Sequence, residues 1–156
     1  MSLHQLSAFQ VAARVRAGEL SARQTLEASL AQIHAVDGVP GSLEQKALAP
    51  SEEQKVHAFI RLTEDLALQQ AAEVDCKVSA GEDPGILAGV PVSIKDIFTL
   101  RGVETTAASR ILANFKPPYT ATSVQKLIDA GALILGKANL DEFTFGSSNE
   151  SSAFKP

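Results

Sequence analysis

The stretch GVPVSIKDIFTL, residues 89–100, decides the fold. Its closely spaced β-branched and aromatic residues predict an interior β-strand that runs into a turn. Side chains alternate along a strand, so Val92 and Ile94 face one way while Ser93 and Lys95 face the other. A lysine is unusual in such a strand and needs a chemical or structural explanation.

Two interpretations of Lys95 stay open from the residues alone. If the side chain is buried, desolvation lowers its pKa, by up to about 3–5 units at full burial, and a neutral lysine can act as a base. Alternatively, Lys95 lies at a strand end and its aliphatic stem extends to water. A Ser93–Lys95 dyad within one strand is disfavoured because the two side chains point in parallel.

Composition limits the classes of function. The chain has 156 residues, 45% of them hydrophobic and 21% charged, with a formal net charge of −4. This balance excludes a strongly basic surface for nucleic acid, and no apolar run reaches the roughly 20 residues of a membrane span. Cys76 is the only cysteine, so we expect no internal disulfide, no cysteine-based metal site and an inert thiol. We expect a soluble, cytoplasmic chain that binds no metal.

The hydrophobic pattern divides the chain into three parts. Residues 1–37 are predicted to be helical, 38–56 a loop or insertion, and 57–156 an α/β portion in which helices alternate with short apolar strands. The apolar faces predicted for the two N-terminal helices are Leu6, Phe9 and Ala13 in the first, and Leu26, Leu30 and Ile33 in the second. An α/β fold whose sheet has parallel members follows.

Three motifs, in this order and spacing, resemble those of a known family. They are LAGVPVSIKD (residues 87–96), TTAAS (105–109) and GKANLDEF (136–143). Together they are similar to the first part of the amidase signature family, with the strong resemblance over residues 57–156. The stretch DEFTFGSSNESSAF, residues 141–154, most resembles the family members that are subunits of tRNA-dependent amidotransferases.

The resemblance implies a mixed sheet flanked by helices and a Ser–cis-Ser–Lys triad. Lys95 matches the catalytic lysine, which accepts a proton through the cis-serine. Both family serines follow in a later segment, so we expect the N-terminal portion of one amidase domain without its nucleophile. Thr144, Phe145, Gly146 and Ser147 match the stretch that shapes the substrate pocket. A simple Gly/Ser loop after a short helix is the alternative for these four residues.

The resemblance also implies partners. The complete parent would hydrolyse glutamine, and its ammonia would convert Glu-tRNA(Gln) to Gln-tRNA(Gln) in a heterotrimer with B and C subunits. No cofactor is expected in this subunit; ATP and Mg²⁺ would belong to the partner B subunit, which would also make most of the tRNA contact. A stand-alone amidase and a non-catalytic truncated product are the alternatives.

Other polar residues have simpler interpretations. Lys137 lies in LGKAN, which lacks the phosphate-loop pattern, and is predicted to be a surface or structural lysine. Asn139, Asp141 and Glu142 are typical of a helix cap followed by an acidic first turn.

Overall fold

The computed structural model describes residues 3–43 and 49–154, and within these ranges helices and strands alternate. The helices are α1 (Ala8–Arg16), α2 (Ala22–Val36), α3 (Glu64–Ala80) and α4 (Thr122–Asp129), and the strands are β1 (Phe59–Leu62), β2 (Pro91–Lys95) and β3 (Leu133–Ala138). Short 3₁₀ helices cover Leu3–Gln5, Arg110–Leu112 and Glu142–Thr144. None of the helices in these ranges is long and apolar enough to cross a membrane.

The three strands form one sheet in the order β1-β3-β2. β1 runs antiparallel to β3, with Phe59 opposite Ala138 and Leu62 opposite Gly136. Gly136 has a close neighbour in this pairing, because an added Cβ would clash with the backbone oxygen of Arg61. The central strand therefore carries a glycine where its antiparallel partner approaches.

β2 and β3 run in the same direction. The Leu133 N–H donates to the carbonyl of Val90 over 2.9 Å, and the Asp96 N–H donates to the carbonyl of Ala138 over 3.0 Å. Thus the beginnings of the two strands meet each other and so do their ends. The sheet is mixed and has flanking helices, which confirms the predicted fold class.

The chain forms two compact units, the first of which comprises Met1–Ile33, Thr63–Val92 and Gln125–Leu135. Leu26 and Leu30 of α2 are buried in its core, with Ile33 packed against it, as predicted. α2 begins after a capping pair, since the Gln24 N–H donates to Ser21 Oγ over 3.0 Å. The buried core residues of this unit are Val11, Ala12, Val15, Ala22, Leu26, Leu30, Ala67, Ala71, Val74, Ala88, Val90, Leu133 and Leu135.

The apolar face predicted for the first helix is wrong at Phe9 and Ala13, which are exposed, whereas Leu6 packs against the core as predicted. Phe9 is 82% exposed, whereas Val11, Ala12 and Val15 are buried. The helix begins only at Ala8, after a capping box. In this helix the buried residues begin at residue 11 and follow helical spacing. Phe9 therefore lies on the opposite side of the helix from the core.

The second unit comprises His34–Leu62, Ser93–Val124 and Gly136–Pro156. Its core contains the buried residues Ile60, Ala108, Leu140 and Phe154. Within the predicted loop, residues 38–43 and 49–56 contain no helix or strand, and residues 44–48 lie outside the described residues. The three-part division of the chain stays a prediction.

A buried carboxylate holds the two ends of this loop together. Asp37 is 4% exposed, and its carboxylate accepts hydrogen bonds from the N–H groups of Ala58 (2.6 Å) and Phe59 (3.3 Å). Its carbonyl oxygen accepts from the N–H of His57 over 2.8 Å. The loop thus leaves and returns at a single point beside β1.

His57 fastens the loop from inside. Its Nδ1 lies 3.0 Å from the carbonyl oxygen of Val39 and its Nε2 lies 3.0 Å from that of Glu52. Both partners are acceptors, and only the imidazolium form can donate from both ring nitrogens. Burial acts to lower the pKa of His57, but the two carbonyls and the carboxylates of Glu52 and Asp37 outweigh it, so the pKa is raised above its ordinary value.

We therefore expect His57 to titrate above the ordinary histidine value of about 6.5. Its contribution to folding is complete below the unfolded pKa and disappears as the pH rises through the higher folded pKa. An NMR titration of the ring, assigned with a His57→Gln variant, measures it. A pKa at or below about 6.5 would show that the ring is held as neutral imidazole.

Candidate functional site

Lys95 is the last residue of β2, and its side chain is exposed. Ile94 and Asp96 are buried at 4% and 1% exposure, so Lys95 and Ser93 occupy the opposite, open face. The Lys95 ammonium group has no hydrogen bond or ion pair with the residues in 3–43 and 49–154. The prediction of the strand is confirmed, and of the two interpretations of Lys95 the exposed strand-end position is the one found among the described residues.

The buried lysine of this segment is instead Lys137, in β3, with 0% exposure. Its Nζ donates to Asp96 Oδ1 over 2.7 Å and to Thr105 Oγ1 over 2.9 Å. Of the two predictions for Lys137, the structural role is confirmed and the surface position is wrong. The only signal in the sequence is that Lys137 closely follows the apolar run of β3, and its ionic partner lies 41 positions away.

Burial lowers the pKa of Lys137 from its ordinary value. The hydrogen bond and the charge of Asp96 act in the opposite direction, while the positive charge of Arg61, its antiparallel neighbour in β1, acts with burial. Arg61 itself is paired with Glu104, so this cation has its own counter-ion. The environment of Lys137 is thus a low-dielectric site in which one carboxylate must compensate the charge.

Asp96 joins the three sequence motifs in space. Its carboxylate accepts from Lys137 of the third motif and, through Oδ2, from the backbone N–H (2.9 Å) and hydroxyl (2.5 Å) of Thr106 in the second. Its carbonyl accepts from the N–H of Ala107 over 3.2 Å. The end of β2, the TTAAS loop and β3 therefore meet at one buried, fully hydrogen-bonded acid.

The TTAAS loop has an unusual backbone. Ala107 and Ala108 have φ values of 50° and 54°, a left-handed conformation that costs a non-glycine residue about 1–2 kcal/mol. Both alanines are buried, and their carbonyls accept hydrogen bonds from the N–H groups of Phe143 and Ala153, each over 2.9 Å. These bonds connect the loop to the segment that follows β3.

A second acid organises that following segment. The carboxylate of Asp141 accepts from the N–H groups of Ser148 (3.0 Å), Asn149 (2.9 Å) and Ser151 (3.2 Å), and from the Ser151 hydroxyl (2.8 Å). The hydrogen bonds from Asn149 and then Ser151 lower the pKa of Asp141, against a small effect of burial. The carboxylate stays charged where it holds this turn.

Asp141 occupies the predicted N-cap position with Glu142 in the first turn, but the predicted side-chain cap does not form. The segment after it forms only the 3₁₀ helix Glu142–Thr144, and the Asp141 side chain makes no capping bond to it. Glu142 instead accepts from the Ser109 hydroxyl over 2.5 Å, and Asn139 Nδ2 donates to the carbonyl of Phe154 over 3.0 Å. The carboxylates are satisfied by distant loop donors, which sequence spacing does not reveal.

Thr144, Phe145, Gly146 and Ser147 lie together on an exposed loop. Phe145 is 93% exposed, and Gly146 lies against Asp141, where an added Cβ would come within 2.5 Å of Cγ. No hydrogen bond described for these residues joins them to Lys95. Their proposed role in substrate binding stays a prediction.

No set of three or more metal-ligating side chains occurs among the described residues. Cys76 is exposed on α3.

Comparisons with known proteins agree with this arrangement. The family described as Amidase matches residues 45–156, and the chain belongs to this family. Over all 156 residues it is 45% identical to the A-type subunit of the glutamyl-tRNA(Gln) amidotransferase of Carboxydothermus hydrogenoformans. This match covers 100% of the chain and 29% of that relative, so the chain spans less than a third of the relative's length.

Solved structures show the same fold. A structure from work on a vestigial protein complex and the evolutionary origins of an s-triazine catabolic enzyme matches with a TM-score of 0.82 at 31% identity, covering 97% of this chain and 30% of that one. The native peptide amidase of Stenotrophomonas maltophilia matches with a TM-score of 0.72 at 34% identity, covering 89% and 26%.

The two lysines should respond differently to the same substitution. Lys137→Met leaves the Asp96 carboxylate buried without its counter-ion, which typically costs about 3–5 kcal/mol. Lys95→Met, at an exposed position without a partner among the described residues, should change the free energy of unfolding by no more than about 0.5 kcal/mol. Urea denaturation of both variants measures the difference, and equal effects would contradict the assignment of Lys137 as the structural lysine.

Asp141→Asn should loosen the turn that it holds. The amide accepts hydrogen bonds more weakly than a carboxylate, so hydrogen exchange at Ser148, Asn149 and Ser151 should become faster. The contribution of Asp141 to stability is present above its unfolded pKa and disappears as the pH falls through the lower folded pKa. Glu53→Gln, which removes an exposed charge from a different loop, is the control. Unchanged exchange in Asp141→Asn would refute this role.

Proposed function

We propose that this chain is the N-terminal part of the glutamine-hydrolysing subunit of a tRNA-dependent amidotransferase. In this proposal, the complete subunit releases ammonia from glutamine, and the ammonia converts Glu-tRNA(Gln) to Gln-tRNA(Gln). The identity of 45% to a relative of that name, over the whole chain, supports the assignment.

The observation that carries the proposal is the position of Lys95. It is an exposed ammonium group at the end of β2, directly before the buried acid at which the three family motifs meet. A strand end fixed in this way holds the backbone of a functional residue rigidly while leaving its side chain available. The family resemblance gives this lysine the role of proton acceptor.

The proposed reaction proceeds through an acyl-enzyme. The nucleophilic serine of the family's downstream segment attacks the amide carbon of glutamine, and its proton passes through the cis-serine to Lys95. The C–N bond then breaks as Lys95 returns the proton through the cis-serine to the departing nitrogen, and ammonia leaves. Water hydrolyses the ester to glutamate and regenerates the serine. Lys95 must be uncharged to accept the proton.

The loop Thr144–Ser147 is the proposed substrate-facing segment. Asp141 holds the turn that follows it, and Gly146 permits the close approach to that carboxylate. In the proposal these contacts present the exposed loop to the bound amide.

The partners follow from the proposed reaction. B and C subunits complete a heterotrimer; ATP and Mg²⁺ act in the partner B subunit, which also contacts most of the tRNA. No cofactor is assigned to this subunit. Because aminoacyl-tRNA is the acceptor, the cytoplasm is the proposed location.

A stand-alone amidase is the second candidate. The likeness to a peptide amidase at 34% identity favours it, since that protein belongs to the same fold and is named for a different amide. Transfer of glutamine-derived ammonia to charged tRNA in the presence of partner subunits separates the two. A non-catalytic truncated product is the remaining alternative.

These 156 residues by themselves should show no glutaminase activity. A general base without its serine nucleophile has no acyl-enzyme route. Ammonia release from glutamine is measured against the Lys95→Ala chain, and a rate above that control would contradict the expectation.

In the complete parent with its partner subunits, Lys95→Ala should abolish ammonia release from glutamine. Loss of a proton acceptor typically costs on the order of 10²–10⁴ in rate. Transfer from added ammonia to the charged tRNA should remain, since that step uses the partner's site. Lys95→Arg should be nearly as damaging, because a guanidinium stays protonated at working pH.

Lys116→Ala is the matched control, since this lysine side chain is 63% exposed and should not affect either ammonia source. If Lys95→Arg retains most of the glutaminase rate, Lys95 is not the base. If both ammonia sources fail together in Lys95→Ala, the residue acts through stability.

A further inference from the structure

We propose that the buried Lys137–Asp96 ion pair is the device that positions Lys95 for proton transfer. The inference rests on the proposed function of Lys95 as the base. It assigns Asp96 and Lys137 as positioning residues, which act through the backbone of Lys95 without touching the substrate.

Few contacts of the Lys95 side chain itself fix its position. Its ammonium group makes no bond to the described residues, so its position depends on the residue that follows it. Asp96 is bound on every side: its N–H donates to Ala138 (3.0 Å), its carbonyl accepts from Ala107 (3.2 Å), and its carboxylate accepts from Lys137 (2.7 Å). Lys95 is thus attached to a tightly constrained residue at the end of β2.

The ion pair sets the separation of two strand ends. Asp96 directly follows β2, Lys137 lies in β3, and their side chains are 1% and 0% exposed. A charge-assisted hydrogen bond is short and directional, so it fixes the distance between its partners more narrowly than apolar contact does. The Thr105 hydroxyl, which accepts from Lys137 Nζ over 2.9 Å, ties the same ammonium group to the TTAAS loop.

Energetics favour a positioning role over a purely stabilising one. A buried ion pair is often no more stable than well-packed apolar residues of similar volume, because desolvating two charges offsets their attraction. The ion pair at this site is therefore better explained by the fixed distance it imposes than by a gain in the free energy of unfolding. The partners in the network meet at the end of the strand that presents Lys95.

The test uses the complete parent enzyme with its partner subunits and compares glutaminase kcat, KM and Tm. Asp96→Asn and Lys137→Met each leave one buried charge unpaired, so Tm and kcat should both fall. The double variant Asp96→Asn/Lys137→Met has no unpaired charge. We expect its Tm to recover toward that of the parent while kcat stays reduced by about tenfold to a hundredfold, as small misplacements of a catalytic group produce. KM for glutamine should change little.

Glu27→Gln is the matched control, since it breaks the Arg23–Glu27 pair, which has the same 2.7 Å separation but lies on the surface. It should leave kcat and Tm unchanged. If kcat recovers with Tm in the double variant, the pair is only structural and the inference is overturned. A parallel Lys95→Ala variant that keeps its glutaminase rate would overturn the proposed function itself, which is a different result from recovery in the double variant.

Discussion

The structure around the candidate site depends on one buried ion pair, Lys137–Asp96. Neither charge reaches water, so each is tolerated only because the other is 2.7 Å away. The pair joins β2 to β3, and the threonines of the TTAAS loop add a hydrogen bond to Lys137 and two to Asp96. Three motifs that are separate in the sequence thereby become a single hydrogen-bonded unit, and the exposed Lys95 projects from its edge.

The same unit explains why an unfavourable backbone persists nearby. Ala107 and Ala108 are held in left-handed conformations by hydrogen bonds to Asp96, Phe143 and Ala153. Asp141 has a comparable role in the last described turn, where it accepts from three backbone N–H groups. In both places a buried acid, and not a regular helix or strand, determines the path of the chain, which is characteristic of loops that present functional groups.

Local patterns predicted the local features well. The strand ending at Lys95, the stripe of Leu26 and Leu30, and the α/β class all follow from periodicity, and the structure confirms them. Whether each lysine is buried could not be predicted. The alternation of side chains along a strand assigns Lys95 to one face of the sheet without showing which face is covered. Lys137 pairs with an acid 41 residues away, and Asp141 bonds to a turn beyond its own helix, so neither contact has a sequence period. The predicted apolar face of α1 is wrong at Phe9 for another reason, since the helix begins later than the apolar residues suggest.

The two lysines have opposite positions and roles: Lys137 is buried and structural, and Lys95 is exposed and available for chemistry. Amine acylation of the native chain, followed residue by residue with mass spectrometry, tests this division most directly. The exposed Lys116 is the internal reference. Lys95 should be modified at a rate similar to that of Lys116, while Lys137 should be protected until the chain unfolds. Rapid modification of Lys137 in the native chain, or protection of Lys95, would contradict it.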